Sequence, residues 1–288
     1  YSRNEFVPCD MNKALFYYSL AANQNSSEAQ TNLGFIYYEG KYVKRDIYKA
    51  IHYYSLAANS NSSVAQNNLA LLCYNIKDIK RAIHYYSLAA EQNLLEAQFS
   101  LGNIFYKGTG VSKNIDKAIH YYSLAANQGH VESQFNLGII YYEGTGVSKN
   151  IDKAIHYYSL AANQGHIESQ FNLGVIYYEG RYYPKNIVKA LYYFFLAANH
   201  NYPLAQYTIG LLYLEGKDIP QDTNKAIKYL SLAADSNLSI AQFKLGNIYL
   251  ENKFLPKNIN KAFFYLSLAA KQKNSNALNY LGLIYYEG

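Results

Sequence analysis

Residues 117–144 read KAIHYYSLAANQGHVESQFNLGIIYYEG, and residues 153–180 repeat this stretch almost unchanged. Looser copies fill the rest of the chain. The Lys-Ala or Arg-Ala pair that opens each copy returns after 36 residues, except in the second interval, which is 32 residues long. The opening residues are Lys13, Lys49, Arg81, Lys117, Lys153, Lys189, Lys225 and Lys261. A fixed period of this size predicts a solenoid.

Each period contains two helical patterns, which we name helix A and helix B. Helix A has a small residue, then Leu-Gly, then an aromatic residue, as in Ala29, Leu33, Gly34 and Tyr37. Helix B alternates small and aromatic residues, as in Ala50, Tyr54, Ala57 and Ala58. Each set falls on one helical face. Neither helix buries its face alone, so stacked neighbours must complete the core.

The connections between the helices carry stop and cap signals. Glycines that tolerate positive φ are expected to end helix A at Gly40, Gly108, Gly144, Gly180 and Gly216. Asn or Asp residues are expected to cap helix B at Asp46, Asn114, Asn150, Asn186, Asp222 and Asn258. The connection between Leu69 and Arg81 lacks four residues and the glycine, so residues 74–80 must turn more tightly.

The motifs AxxxLGxxYYEG, GTGVSKNxxKA and YYSLAANQG resemble the Sel1-like repeat family, relatives of the tetratricopeptide solenoids. The resemblance implies an all-α fold, a right-handed superhelical solenoid of about eight stacked antiparallel helix pairs. It also implies a protein-binding scaffold without catalytic residues. Residues 1–288 are interpreted as one array that is cut within a repeat at both ends, because residues 1–8 align with residues 249–256.

Composition and charge narrow the function classes. The formal charge of +6 is spread over loops and helix starts, which argues against a nucleic-acid footprint. No apolar run is long enough to span a bilayer, so we expect no membrane insertion. Cys9 and Cys73 lie in different repeats and are interpreted as free thiols of a reducing compartment, the cytoplasm, with Cys73 in the core slot held elsewhere by Tyr37 or Phe105.

Two other recurring motifs carry no catalytic or ligand-binding signature. Residues 108–110 and 144–146 read Gly-Thr-Gly, but they follow a helix and lack the Gly-Lys-Ser/Thr ending of a phosphate loop. Histidines recur at one helix B position, at His52, His84, His120 and His156. Stacked helices lie about 8–10 Å apart, too far for neighbouring imidazoles to share a zinc ion. We therefore expect no metal and no cofactor.

A strip on helix A, which we name the helix A strip, is a candidate binding surface. It comprises the positions two before, two after and five after the repeat leucine, which point away from the core on a helical wheel. Its members are Phe99, Asn103, Tyr106, Phe135, Ile139, Tyr142, Phe171, Val175, Tyr178, Tyr207, Leu211, Leu214, Phe243, Asn247 and Leu250. In tetratricopeptide proteins this face lines the concave groove, where a peptide or helix would meet aromatic walls, with asparagines suited to backbone amides. The alternative is that the aromatic residues only pad adjacent helices A.

A second candidate surface is a leucine row on helix B. One position is leucine in every repeat, at Leu20, Leu56, Leu88, Leu124, Leu160, Leu196, Leu232 and Leu268. The family pattern usually has a charged residue there. Either these leucines pack against the neighbouring helix B, or a partner covers this convex side.

The sequence therefore predicts a non-catalytic scaffold or adaptor that binds proteins, as a structural component of a larger assembly. One alternative is the recognition arm of an enzyme whose catalytic domain lies elsewhere. Another is an RNA binder of the helical-repeat kind, although such proteins need variable polar residues where this strip is mostly aromatic and aliphatic.

Overall fold

The computed structural model describes residues 10–251 and 253–287 of the chain. Within this part, every regular element is an α-helix, and each of the sixteen helices has 13 residues. They are α1 (Met11–Asn23), α2 (Ser27–Glu39), α3 (Ile47–Asn59), α4 (Ser63–Asn75), α5 (Ile79–Glu91), α6 (Leu95–Lys107), α7 (Ile115–Asn127), α8 (Val131–Glu143), α9 (Ile151–Asn163), α10 (Ile167–Glu179), α11 (Ile187–Asn199), α12 (Pro203–Glu215), α13 (Thr223–Asp235), α14 (Ser239–Glu251), α15 (Ile259–Lys271) and α16 (Ser275–Glu287).

The predicted alternation of two helices is confirmed. Helix A corresponds to the even-numbered helices and helix B to the odd-numbered helices. The chain forms two compact units, residues 1–149 and residues 150–288. Within each unit, a helix packs against the helices that precede and follow it, as a solenoid requires. The expected start of the chain in a helix A, and Cys9, fall outside the described residues.

Helix ends follow the sequence signals. All five predicted stop glycines are in the left-handed conformation, for example Gly108 with φ 71°. The predicted Asn and Asp caps accept a hydrogen bond from the backbone N–H three residues on, as Asn114 does from Lys117 at 2.9 Å. These contacts satisfy backbone groups that a helix end would otherwise leave unpaired. The Gly-Thr-Gly segments are therefore inter-helix connections.

The repeat glycine lets helix A approach the next helix B closely. A Cβ atom on Gly102 would lie 2.5 Å from Cδ1 of Tyr122, and one on Gly174 would lie 2.5 Å from Cδ1 of Phe194. Distances this short are not compatible with a side chain unless the ring moves. Ala70 takes this position in α4, opposite the buried Tyr86. The repeat leucines beside these glycines are fully buried, as at Leu173.

Buried glutamines link successive repeats. Gln66 donates from Nε2 to the Ala58 carbonyl at 3.3 Å and accepts, on Oε1, a bond of 2.8 Å from Gln92. The pairs Gln98 with Gln128 and Gln242 with Gln272 make the same cross-repeat bond. Gln92 and its equivalents stand directly after helix B. Each such bond therefore ties the end of one repeat to the preceding repeat.

Three of these glutamines lack the cross-repeat bond. The Oε1 atoms of Gln30, Gln170 and Gln206 are buried and have no hydrogen-bond partner among the described residues. In the next repeat, the residue after helix B is Ser60, His200 and Ser236, respectively, instead of glutamine. The missing bonds therefore coincide with these three residues.

The connection from α4 to α5 is the predicted irregularity. It has three residues, 76–78, where the connection from α2 to α3 has seven, 40–46. Lys77 takes a left-handed φ of 66°, and Asp78 donates its backbone N–H to the Cys73 carbonyl at 2.9 Å. Cys73 is a buried free thiol, as predicted from its place in the aromatic slot.

Aromatic pairs join helix A to helix B beside the connections. Tyr37 stacks on Tyr53 with ring centroids 5.8 Å apart and planes within 4° of parallel. The equivalent pairs are Phe105 with Tyr121, Tyr177 with Tyr193, Tyr213 with Tyr229, and Tyr249 with Tyr265. The opening lysine of helix B covers the same ring, as Lys49 lies 4.9 Å from the centre of Tyr37. A lysine and two rings thus form one layered contact in these repeats.

Within the described part of the chain, none of the helices is long and apolar enough to cross a membrane.

Candidate binding surfaces

The aromatic members of the helix A strip are half-buried and contact the following repeat. Phe99 packs against the ring of Tyr122, at 6.1 Å, and against His130, at 4.5 Å. Phe171 makes the equivalent contacts with Phe194 and Tyr202. The wheel placed these side chains away from the core, but the following repeat lies against one side of each ring. The aromatic residues of the strip are therefore partly exposed and partly packed against the following repeat.

The two asparagines singled out on the strip differ. Asn103 accepts a hydrogen bond of 2.8 Å from the Tyr122 hydroxyl, so its carbonyl is engaged within the chain. The Oδ1 atom of Asn247 is buried and has no partner among the described residues, and the same holds for Asn67 of α4. A buried amide oxygen without a donor is costly, and a backbone N–H of a bound peptide would satisfy it.

Leu214 corrects the prediction for one strip position. It is only 2% exposed and belongs to a core cluster with Leu230 and Leu245. The equivalent residues Tyr106, Tyr178 and Leu250 are half-buried instead.

Two small pockets adjoin in residues 10–149, where α2 and α4 continue the helix A strip. Phe35 and Leu71 stand two residues after the repeat leucines of these helices, and Tyr38 and Tyr74 stand five residues after them. One has a volume of about 160 Å³ and lies between Phe35, Tyr38, Tyr54 and Leu72. The other has a volume of about 190 Å³ and lies between Tyr74, Tyr86, Ser100, Asn103, Ile104 and Lys107. Leu71, which is 39% exposed, lines both pockets. Small-molecule sites usually have about 300–1,000 Å³, so these pockets suit single side chains of a partner better than a metabolite.

The pocket floors are tyrosines whose hydroxyl groups are occupied. Burial, above all, raises the pKa of Tyr54 and Tyr86, while hydrogen bonds to Asn68 and Ser100 act in the opposite direction. Such phenols stay neutral at ordinary pH and can serve as hydrogen-bonding groups at the base of the pockets. They carry no sign of acid–base chemistry.

Cations cover the outermost aromatic position of the strip. Lys113 lies 5.2 Å from the centre of the Tyr106 ring, and Lys185 lies 5.0 Å from that of Tyr178. These contacts were not predicted, because they depend on how each connection folds back onto the helix before it. A signal was present, since a basic residue stands five positions after four of the stop glycines, at Arg45, Lys113, Lys149 and Lys185.

The leucine row is partly covered. Leu20, Leu56, Leu160 and Leu232 are 36–45% exposed, and Leu88, Leu124, Leu196 and Leu268 are half-buried. Packing therefore covers at least half of each side chain. Whether a partner covers the remainder stays a prediction.

The recurring histidines of helix B lie at the surface. His52, His84, His120 and His156 are exposed, and each ring contacts the tyrosine that follows it. No group of three or more potential metal-ligating side chains occurs in residues 10–251 and 253–287.

Two solved structures resemble the chain closely. The c5321 protective antigen of uropathogenic Escherichia coli strains, which displays an SLR fold, superposes with a TM-score of 0.85 at 28% identity. The match covers 96% of this chain and 61% of that protein, so the chain spans about three fifths of its length. A Sel1 repeat protein from Oxalobacter formigenes superposes with a TM-score of 0.78 at 29% identity, covering 95% of this chain and 80% of that one. No curated protein matches the chain.

The Sel1 repeat profile matches eight consecutive segments: residues 5–26, 27–62, 63–94, 95–130, 131–166, 167–202, 203–238 and 239–274. Proteins with this repeat generally mediate protein–protein interaction and are typically non-catalytic. The architecture predicted from the sequence, a helical solenoid, is confirmed by the sixteen helices and by both structural matches. The chain belongs to the Sel1 repeat family.

Proposed function

We propose that the chain is a non-catalytic scaffold that holds a segment of a partner protein along the helix A strip, as a component of a larger assembly. The observation that carries the proposal is the pair of adjoining pockets on either side of Leu71. Each has room for one side chain, and half-buried aromatic rings border both. We also propose a reducing compartment such as the cytoplasm, in keeping with the free Cys73 thiol.

Polar groups on the strip support a peptide as the bound form. The unpaired amide oxygens of Asn67 and Asn247 can accept backbone N–H groups. Asn67 stands on α4, the helix that also carries Leu71. Pockets for side chains combined with acceptors for the backbone are a usual means of holding a peptide segment.

The test compares two aspartate variants matched in residue type and exposure. Leu71 is 39% exposed and lines both pockets, whereas Leu56 is 38% exposed and lies on the leucine row. Leu71→Asp should abolish capture of partner proteins from a lysate, because a partner that covers the pockets would bury an unpaired charge, which costs free energy. Leu56→Asp should leave capture intact. Circular dichroism should show that both variants keep their helices.

The opposite result would overturn the proposal. If Leu56→Asp loses the captured proteins and Leu71→Asp retains them, the leucine row is the binding surface and the helix A strip is not.

A further inference from the structure

One contact in residues 150–288 shows how the strip edge binds a carboxylate. Lys185 donates from Nζ to Asp218 Oδ1 at 2.7 Å while lying 5.0 Å over the Tyr178 ring. The Tyr178 hydroxyl lies beside the same carboxylate. Asp218 comes from the connection of the following repeat, between α12 and α13. A lysine and a strip tyrosine therefore form a two-point site, and an aspartate of the chain occupies it.

The same pairing recurs in residues 10–149 without the aspartate. Lys113 lies over Tyr106, Arg45 lies 5.3 Å over Tyr38, and Lys77 lies 5.9 Å over Tyr74. Each tyrosine stands five residues after the repeat leucine or its counterpart, as Tyr178 does. None of the three cations is paired with an acidic side chain among the described residues.

The sequence explains why these pairs lack an internal carboxylate. The residues aligned with Asp218 in the connections that follow Lys77 and Lys113 are Gly110 and Gly146, which have no side chain. The connection that follows Arg45 is the short one, residues 76–78, which has no aligned residue. Around Tyr106 the acidic surroundings are otherwise equivalent, because Glu143 stands near Tyr106 as Glu215 stands near Tyr178. Glu215 does not prevent Asp218 from occupying its site.

We propose that Arg45–Tyr38, Lys77–Tyr74 and Lys113–Tyr106 form a row of carboxylate-binding sites at the edge of the helix A strip, and that the bound partner segment is acidic. This inference rests on the proposed function and adds the chemistry of the partner. Successive sites stand one repeat apart, and packed helices lie about 8–10 Å apart. An extended chain advances about 3.3 Å per residue, so Asp or Glu residues three apart would reach successive sites.

The test uses a fluorescein-labelled peptide of about twelve residues with the repeated sequence Leu-Ser-Glu, and a matched peptide with Gln in place of Glu. Binding to the full chain is followed by fluorescence polarisation. We expect the Glu peptide to bind about tenfold more tightly than the Gln peptide, because carboxylates make charge-assisted hydrogen bonds. Equal binding of the two peptides, or no binding of either, would overturn the inference.

Two pairs of variants separate the sites from general charge. Lys113→Gln should weaken binding of the Glu peptide about fivefold, whereas Lys185→Gln, which removes the same charge from a site that Asp218 occupies, should change it less than about twofold. Asp218→Asn should free Lys185 and Tyr178 and strengthen binding. Asp235→Asn makes the same charge change at an exposed position that ends α13, and it should have no effect.

Other outcomes identify what fails. If Lys113→Gln and Lys185→Gln weaken binding equally, or if Asp218→Asn and Asp235→Asn act alike, the effect is general attraction and the carboxylate sites are refuted. If a single-stranded RNA of the same length displaces the Glu peptide and binds more tightly, the row recognises nucleic acid instead. If Leu71→Asp still abolishes capture of proteins in either case, the proposed function of the helix A strip stands. Only the inference that the partner is acidic then fails.

Discussion

Single residues decide how tightly one repeat is joined to the next. The buried glutamine of helix A reaches the residue after the next helix B, and that residue is a glutamine in the pairs Gln66–Gln92, Gln98–Gln128 and Gln242–Gln272. Where serine or histidine replaces it, a buried amide oxygen stays unpaired. An unmade buried hydrogen bond costs more than a made one contributes, so these positions are weak points between repeats.

Ser236→Gln should therefore stabilise the array. The new amide would donate to Gln206 Oε1 and contribute about 0.5–1.5 kcal/mol. The reverse change, Gln128→Ser, would leave Gln98 Oε1 unpaired and cost about 1–3 kcal/mol. Thermal unfolding of both variants measures the effect. A rise in midpoint for Ser236→Gln and a fall for Gln128→Ser are expected; two unchanged midpoints would show that these bonds contribute nothing.

Individual side-chain contacts between repeats were the features that the sequence did not predict. The glycine stops and the Asn and Asp caps were predictable, because each depends only on neighbours within four residues. The Gln98–Gln128 bond and the Lys113–Tyr106 contact were not, because they depend on how a connection folds back. The burial of Leu214 was missed because a wheel treats one helix as isolated.

Among the helices, α8 and α10 are capped by histidine instead of serine, threonine, asparagine or aspartate. His130 accepts on Nδ1 a hydrogen bond of 3.2 Å from the Ser133 backbone N–H, which requires that this nitrogen be unprotonated. Burial lowers the pKa of His130, while Glu132 and Glu96 act in the opposite direction. The start of α8 is thus sensitive to protons, because a protonated imidazole loses its acceptor and meets the positive end of the helix dipole.

Stability should fall as the pH drops below the ordinary histidine pKa of about 6.5. Because the folded-state pKa of His130 is lowered, the unfolded chain binds more protons there, and folding loses free energy as the pH decreases through this range. His130→Ser, which copies the caps Ser26 and Ser62, should reduce this slope. Thermal midpoints between pH 5 and 8 measure it, and an identical slope in the variant would contradict the assignment.

At the scale of the whole molecule, stability in a solenoid is a sum over neighbouring repeats. Each helix of this chain contacts those beside it in sequence, within residues 1–149 and within residues 150–288. The 36-residue period in the sequence was enough to predict this organisation, because the helices identified in one repeat recur at the same positions in the other repeats. The single 32-residue interval likewise predicted the short connection between α4 and α5. The superhelical handedness and the single continuous array stay predictions.

Leu173→Ala should destabilise its own neighbourhood far more than distant repeats. The side chain is fully buried, so its loss should cost about 2–5 kcal/mol. Leu160→Ala is the matched control, because this leucine is already 36% exposed and should cost clearly less. Hydrogen exchange should show reduced protection first in α9–α12. A uniform loss over all repeats would contradict nearest-neighbour stability.

The layered tyrosine pairs also give the molecule an optical signature. The chain has 34 tyrosines and no tryptophan, so all of its strong near-ultraviolet absorption comes from phenol rings. Tyr177–Tyr193 and Tyr249–Tyr265 hold their rings parallel within 4°. Rings fixed in a chiral setting produce near-ultraviolet circular dichroism, which disappears when tertiary packing loosens even if helices persist. The pair α4–α5 has Cys73 in place of the first ring and adds no such stack. The tyrosine signal therefore reports on the packing of helix A against helix B without any added label.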